Sequence, residues 1–280
     1  MQQPTTGDIR RHNPAHGNVP DWLEKVCRVG FFTKGVVYVT LGVLSASAAF
    51  SAGGNVEGSK GAIQTLGSQP FGRVLLYVLC FGLFAYAAWR FLAAIFDPEQ
   101  VGTDAKGLIK RFGYGLSGAV HVSLAIAAFQ MASGSGSGSG SGRQSWIASL
   151  MQEPMGRWLV VALGVFIVAV GLRQFKHAAN KEFQRRLRLG HMSKEIRRSV
   201  TALGRAGFAA RGVVFLIIGF MMAKGGLFSD PSQAVGVGGA LRQLASETGG
   251  TIVLGLVAVG LAAYGAYMVV ASRYRAIPAP

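Results

Sequence analysis

Apolar residues gather in six long runs along this chain: Phe31–Ala52, Val74–Phe96, Gly113–Ala132, Trp158–Phe175, Gly207–Ala223 and Ile252–Ala271. A helix that crosses the hydrocarbon of a bilayer needs about 20 mostly apolar residues. None of the runs holds an acid. Their basic residues lie near an end, Lys34 and Arg211 near the start and Arg90 and Arg173 near the finish. Long cations at such positions can reach out to the interface. The pattern predicts six transmembrane helices. Ahead of the first run, residues 1–20 are polar and carry Pro4, Pro14 and Pro20. They read as a disordered tail and not as a cleaved leader, because no short apolar core with a small-residue cleavage site precedes the first span. "PDWLEK" then offers a helix start, with Asp21 as cap and Glu24 three residues on.

Composition agrees with a membrane protein. Half of the 280 residues are hydrophobic and 14% are charged, against about 25% charged in a soluble domain. Cys27 falls at a membrane edge and Cys80 inside a span, so no disulfide framework is implied. The net charge of +16 would suit nucleic acid, but no reading motif accompanies it. An even number of spans puts both termini on one side, and that side holds 22 of the 28 lysines and arginines. The positive-inside rule predicts that both termini are cytoplasmic. Lys176–Ser199 is the longest basic connection, and Ile196, Val200 and Leu203 give it one apolar face. It is expected to rest as an interfacial helix on anionic lipid; docking of an unidentified cytoplasmic protein is the alternative.

An internal repeat organises the chain. "RVGFFTKGVVY" (Arg28–Tyr38), "RFGYGLSGAVH" (Arg111–His121) and "RAGFAARGVVF" (Arg205–Phe215) open the odd-numbered spans. A second block precedes the even-numbered ones: "GAIQTLGSQPFG" (Gly61–Gly72), "SWIASLMQEPMG" (Ser145–Gly156) and "GALRQLASETGG" (Gly239–Gly250). It reads as one or two helical turns broken before the next span. Tyr86 and Tyr264 fall in step, as do Gly82 and Gly260, while the second copy departs there with Phe166 and Val170. The repeats are two-helix hairpins over residues 21–97, 98–181 and 182–275, the last including the basic connector, with a short tail at 276–280. Hairpins that all insert the same way are related by rotation about the membrane normal, so the expected fold is an all-α membrane bundle with pseudo-threefold symmetry. The Ser-Gly tract at 133–142 adds no length to its copy. It reads as the loosest of three equivalent hairpin loops.

The repeated R-x-G-[FY]-x-x-x-G start and the G-A-[IL]-x-x-L block resemble the bacterial membrane family known as domain of unknown function 1206, over residues 24 to 273. The resemblance implies a multi-pass protein of a bacterial cytoplasmic (inner) membrane and brings no activity with it. The mitochondrial carriers also have three hairpins, but their P-x-[DE]-x-x-[KR] signature is missing here.

The pointed chemistry is cationic. Arg28, Arg111 and Arg205 occupy one equivalent depth, and Lys34, Ser117 and Arg211 another about 9 Å deeper at 1.5 Å per residue. The plain reading is anchoring by snorkelling arginines; the sharper one is a ring that holds phosphate head groups or a small anion, for which arginine's fork is suited. His121 is the one histidine inside a span, a packed polar residue or a proton-linked one. It has no second histidine with which to hold haem, and no other cofactor or metal ligand set is evident. No acid pair, oriented serine or phosphate loop suggests an enzyme. The expected function is therefore non-enzymatic organisation of anionic lipid or of a protein partner. The alternative is a transporter or channel for a small, anionic solute along the repeat axis.

Overall fold

In a computed structural model the chain is almost wholly helical. The structure describes residues 21–50, 59–98, 100–134, 141–153, 155–187, 190 and 192–275. The N-terminal tail, residues 135–140 of the Ser-Gly tract and the C-terminal tail lie outside the described residues. Six helices are long and apolar enough to cross a membrane: α1 (Asp21–Phe50), α3 (Gly72–Ile95), α4 (Ala105–Ser133), α6 (Gly156–Asn180), α7 (Lys194–Phe228) and α9 (Gly250–Tyr274). Three short helices precede the even-numbered spans where the second sequence block predicted them: α2 (Ser59–Gly67), α5 (Ser141–Gln152) and α8 (Val237–Ser246). The turn from each into the next span is so sharp that a Cβ on Gly72, Gly156 or Gly250 would lie 1.8, 1.5 or 2.0 Å from a carbonyl oxygen of Gly67, Leu150 or Leu244. That clash explains the glycine closing each block. Short polar side chains start two of the long helices: Asp104 accepts from the Gly107 amide and Ser193 from the Ile196 amide.

The repeats close into a ring by one recurring contact. α3 packs along α4, α6 along α7, and α9 along α1; in each case the second span of one repeat meets the first span of the next. A Cβ on Gly35 would meet Val269 at 2.7 Å, one on Gly118 would meet Phe91 at 3.0 Å, and one on Gly212 would meet Phe175 at 2.7 Å. Gly35, Gly118 and Gly212 are the same motif position, and Phe91, Phe175 and Val269 are equivalent in their repeats. The expected pseudo-threefold relation therefore holds at the level of single contacts. In lipid, where the apolar surroundings supply little hydrophobic force between helices, close backbone approach at small residues is what holds such a ring together.

The interior divides along the bundle axis. The end that carries the hairpin loops (the loop end) is packed with apolar side chains, among them Leu41, Val214, Ile218, Leu241, Leu254 and Leu261 on one side and Val37, Ile63, Leu79 and Leu83 on the other. The opposite end, where α1 begins and α9 finishes, is the basic end.

Two expectations need correction here. Lys34 and Arg211 do not snorkel from helix starts. α1 begins at Asp21 and α7 at Lys194, well ahead of the apolar runs, so both residues lie inside their helices, and Lys34 is 3% exposed. The connector, in turn, does not form a separate interfacial helix. Its second half is the beginning of α7, and Val200 is buried 2% exposed against the bundle. Its first half is a 3-10 turn, Glu182–Arg186, whose Phe183 stacks on Phe208 with ring centroids 5.3 Å apart and meets Tyr267 edge-on. Leu187 then pairs with Arg275 in an isolated antiparallel bridge. Of the apolar face predicted for membrane lipid, Val200 and Leu203 pack into the basic end of the protein itself, while Ile196 stays exposed.

Candidate functional site

The two arginine layers behave differently. Arg28 donates to the carbonyl oxygens of Ser272 and Arg273 and pairs with Glu24. Arg111 donates from Nε to the Ala94 carbonyl at 2.7 Å and from Nη2 to the Ile95 carbonyl at 2.6 Å. Residues 94–95 and 272–273 are equivalent in their repeats. Each of these arginines thus caps the C-terminal carbonyls of the preceding repeat's second span, where the helix dipole is negative and the carbonyls lack amide partners. Arg205 is exposed. The three belong to three different interfaces of the ring, so the structure does not bring them together into one site.

The deeper layer does converge. Lys34 on α1 donates from Nζ to the Tyr86 hydroxyl at 2.7 Å, and Arg90 on α3 donates from Nε to the same oxygen at 2.8 Å. The Lys34 ammonium lies 4.2 Å from the centroid of the Tyr86 ring and 5.9 Å from that of Tyr38. The Arg211 guanidinium on α7 lies 4.3 Å from the Tyr264 centroid, 4.9 Å from Phe215 and 5.6 Å from Tyr38. Arg90 is shared between Tyr86 and Tyr114, at 5.2 and 5.1 Å. Tyr38 bridges the Lys34 and Arg211 sides, and its ring meets Tyr264 edge-on at 4.8 Å. His121 completes the cluster against Tyr86, centroids 4.5 Å apart, with its Nδ1 on the Ser117 carbonyl at 2.7 Å. A carbonyl only accepts, so Nδ1 carries a proton and donates it to Ser117.

The residues come together because equivalent positions of three repeats face one axis. Lys34, Ser117 and Arg211 form one layer and Tyr38, His121 and Phe215 the next. Two departures give the site its sign. The second copy offers Val170 and Gln174 where the first has Tyr86 and Arg90, and the third offers Tyr264 and Met268. All three cations therefore come from the first and third copies. No acid lies inside any of the six apolar runs, and among the described residues neither Lys34 nor Arg211 has a carboxylate partner. Nε of Arg211 is buried with no hydrogen-bond partner among the described residues. The described residues also contain no group of three or more histidines, cysteines or acids fit to hold a metal.

Sequence reasoning took Lys34, Arg211 and His121 into the candidate set and left out Arg90, which it read as a helix-end anchor. Tyr86 pointed to Arg90: one of the tyrosines kept in step between copies, it stands four residues before Arg90, on the same helix face.

Comparison with known proteins agrees with this architecture. An uncharacterised protein of Bacillus subtilis (strain 168), YxxB, is 34% identical over 254 residues, which is 91% of this chain and 92% of that one. No solved structure matches the chain. The family described as Domain of Unknown Function (DUF1206) matches three times, over residues 29–97, 112–181 and 206–275. The chain is a multi-pass membrane protein built from three copies of that domain, and it belongs to the DUF1206 family.

Proposed function

We propose that this is a non-enzymatic membrane protein that binds a phosphate- or carboxylate-bearing anion at the centre of its three repeats, with its basic end in the cytoplasm of a bacterial inner membrane. The observation that carries the reading is the meeting of Lys34 and Arg211 on one aromatic cluster, with no carboxylate against either among the described residues. Arginine does not give up its proton inside proteins, so at least two positive charges persist there. Taking one such ion out of water costs several kcal/mol. A cation–π contact returns about 0.5–2 kcal/mol, and a tyrosine hydroxyl serves as a neutral acceptor. Aromatic rings therefore soften the charge of Lys34 and Arg211 without cancelling it, and an anion between these two would cancel it. Arginine's planar fork matches a phosphate or carboxylate.

The test is ligand retention. Protein purified in mild detergent from a membrane containing phosphatidylglycerol should carry bound anionic phospholipid, or else phosphate, in native mass spectra. Lys34→Gln with Arg211→Gln should reduce that occupancy at least tenfold while the helical circular dichroism stays unchanged. Arg90→Gln alone gives a milder version. Undiminished occupancy in both variants rejects the site.

A further inference from the structure

The third hairpin carries an open cavity toward the loop end. It measures about 400 Å³ and lies between α7, α8 and a 3-10 turn at Pro231–Gln233, a size usual for a small-ligand site. Its floor is apolar: Leu216, Ile217, Phe220 and Met221 from one face of α7, and Leu244 from α8. Ile217 and Leu244 also pack against the buried cluster that holds Leu241 and Leu254, which fixes the floor in place. The mouth is polar, with Lys224, Gln233, Gln243 and Glu247. Lys224 directly follows the apolar run Gly207–Ala223, so it stands at the membrane edge. Leu216 lies about 12 Å deeper along the same helix, at 1.5 Å per residue. That reach stays within the ~15 Å of a single leaflet's hydrocarbon.

The charges at the mouth are of both signs and do not meet. Among the described residues Lys224 forms no ion pair with Glu247 or with the neighbouring Asp230. Hydrogen bonds from Ser232 and Gln233 hold the Asp230 carboxyl below its ordinary range, and the charge of Lys224 adds to this. Gln243 donates from Nε2 to Glu247 at 2.8 Å, and Gln233 donates from Nε2 to Asp230 at 3.2 Å. With their amide nitrogens so used, the two glutamines offer their amide oxygens as acceptors. The combination is particular to the third repeat. Where it has Lys224, the other copies have Ser47 and Gln130; where it has Glu247, they have Gln69 and Glu153. A plain anion at this mouth would face two carboxylates, and a plain cation would face Lys224. A head group that carries a phosphate and an ammonium answers both signs, and an acyl chain matches the floor.

We infer that this cavity binds a zwitterionic phospholipid, phosphatidylethanolamine, from the leaflet at the loop end. One acyl chain lies along Leu216, Ile217 and Leu244. The phosphate meets the Lys224 ammonium, which binds phosphate as a point charge. The lipid's own ammonium donates to Glu247, with the amide oxygens of Gln233 and Gln243 as further acceptors. The site shares no residue with the anion site at the centre of the repeats and stands or falls without it.

The experiment uses the full chain, delipidated in mild detergent and titrated with one phospholipid at a time, and reads lipid occupancy in native mass spectra. Lys224 and Glu247 are both exposed, so Lys224→Gln with Glu247→Gln leaves the fold intact. That variant should lower phosphatidylethanolamine occupancy about tenfold and leave phosphatidylglycerol occupancy as it was. Lys34→Gln with Arg211→Gln should do the reverse, so that failure of one site is told apart from failure of the other. A second variant, Met221→Trp, fills the floor and keeps the charges of the mouth, and it should also lower phosphatidylethanolamine occupancy. Unchanged phosphatidylethanolamine occupancy in either folded variant overturns the site. An equal loss of phosphatidylglycerol in Lys224→Gln/Glu247→Gln overturns the zwitterionic assignment. A loss in Glu247→Gln alone with none in Lys224→Gln, matched by binding of dodecyltrimethylammonium, makes the ligand a cation and overturns the phospholipid assignment.

Discussion

Gly42→Ala is the sharpest test of how the ring is held. Gly42 lies on α1 where it crosses α9, and an added Cβ would come 2.5 Å from the Ala262 backbone nitrogen and 2.7 Å from the Ala258 carbonyl oxygen. Those are main-chain atoms of a helix, so no rotamer change relieves the clash. Reaching an ordinary separation of about 3.5 Å requires the two helices to part by roughly 1 Å, and a radial gap of that size forfeits a quarter to a half of each dispersion contact along the interface. Overpacking of this kind typically costs 1–3 kcal/mol. Helix propensity offsets it in part, because alanine is better than glycine by about 1 kcal/mol. The same change at Gly118 would meet only the rim of the Phe91 ring at 3.0 Å, and at Gly115 it would meet nothing. Thermal unfolding in one detergent should therefore rank the variants: Gly42→Ala well below the parent, Gly118→Ala near it, and Gly115→Ala equal or higher. If Gly42→Ala melts with Gly115→Ala, close glycine contact is not what holds α1 to α9, and the ring argument loses its physical basis.

Two further outcomes follow from the basic end. Arg28→Gln and Arg111→Gln each remove charge-assisted hydrogen bonds to helix-end carbonyls; partial exposure reduces their worth to about 1 kcal/mol, so both variants should melt lower while Arg205→Gln stays within about 0.5 kcal/mol of the parent. Equal losses at all three positions would point back to a shared anion ring. Phe183→Ala empties a site that is 4% exposed among Phe208, Tyr264 and Tyr267. Phenylalanine truncation in a core costs about 3–5 kcal/mol, which should appear as a large melting shift together with faster proteolysis of the connector. A surface-lying connector would show neither.

Much of this architecture was legible in the chain, and the reason is locality. The length of an apolar run states how many times the chain can cross a bilayer, and a motif repeated at fixed spacing states that three hairpins share one packing rule. The glycine ending each second block is likewise a local matter of a turn too tight for a side chain. Even the departures of the second copy, Phe166 and Val170, were visible as departures. Their consequence was not, because whether two spans close depends on which residue of the opposite helix each one meets, and Phe112 meets Phe166 only once the hairpin is formed. Tertiary structure alone decided the fate of the cations. Lys34, Arg90 and Arg211 stand near the ends of apolar runs, where a long side chain could reach either outward to water or inward to the axis. Three repeats turning one face toward a common centre sent them inward, onto tyrosines of that same centre. The helices extend beyond the apolar runs that announce them, so residues at a run's edge are not at the helix's edge, and a charge that hydropathy assigns to the interface ends in the core.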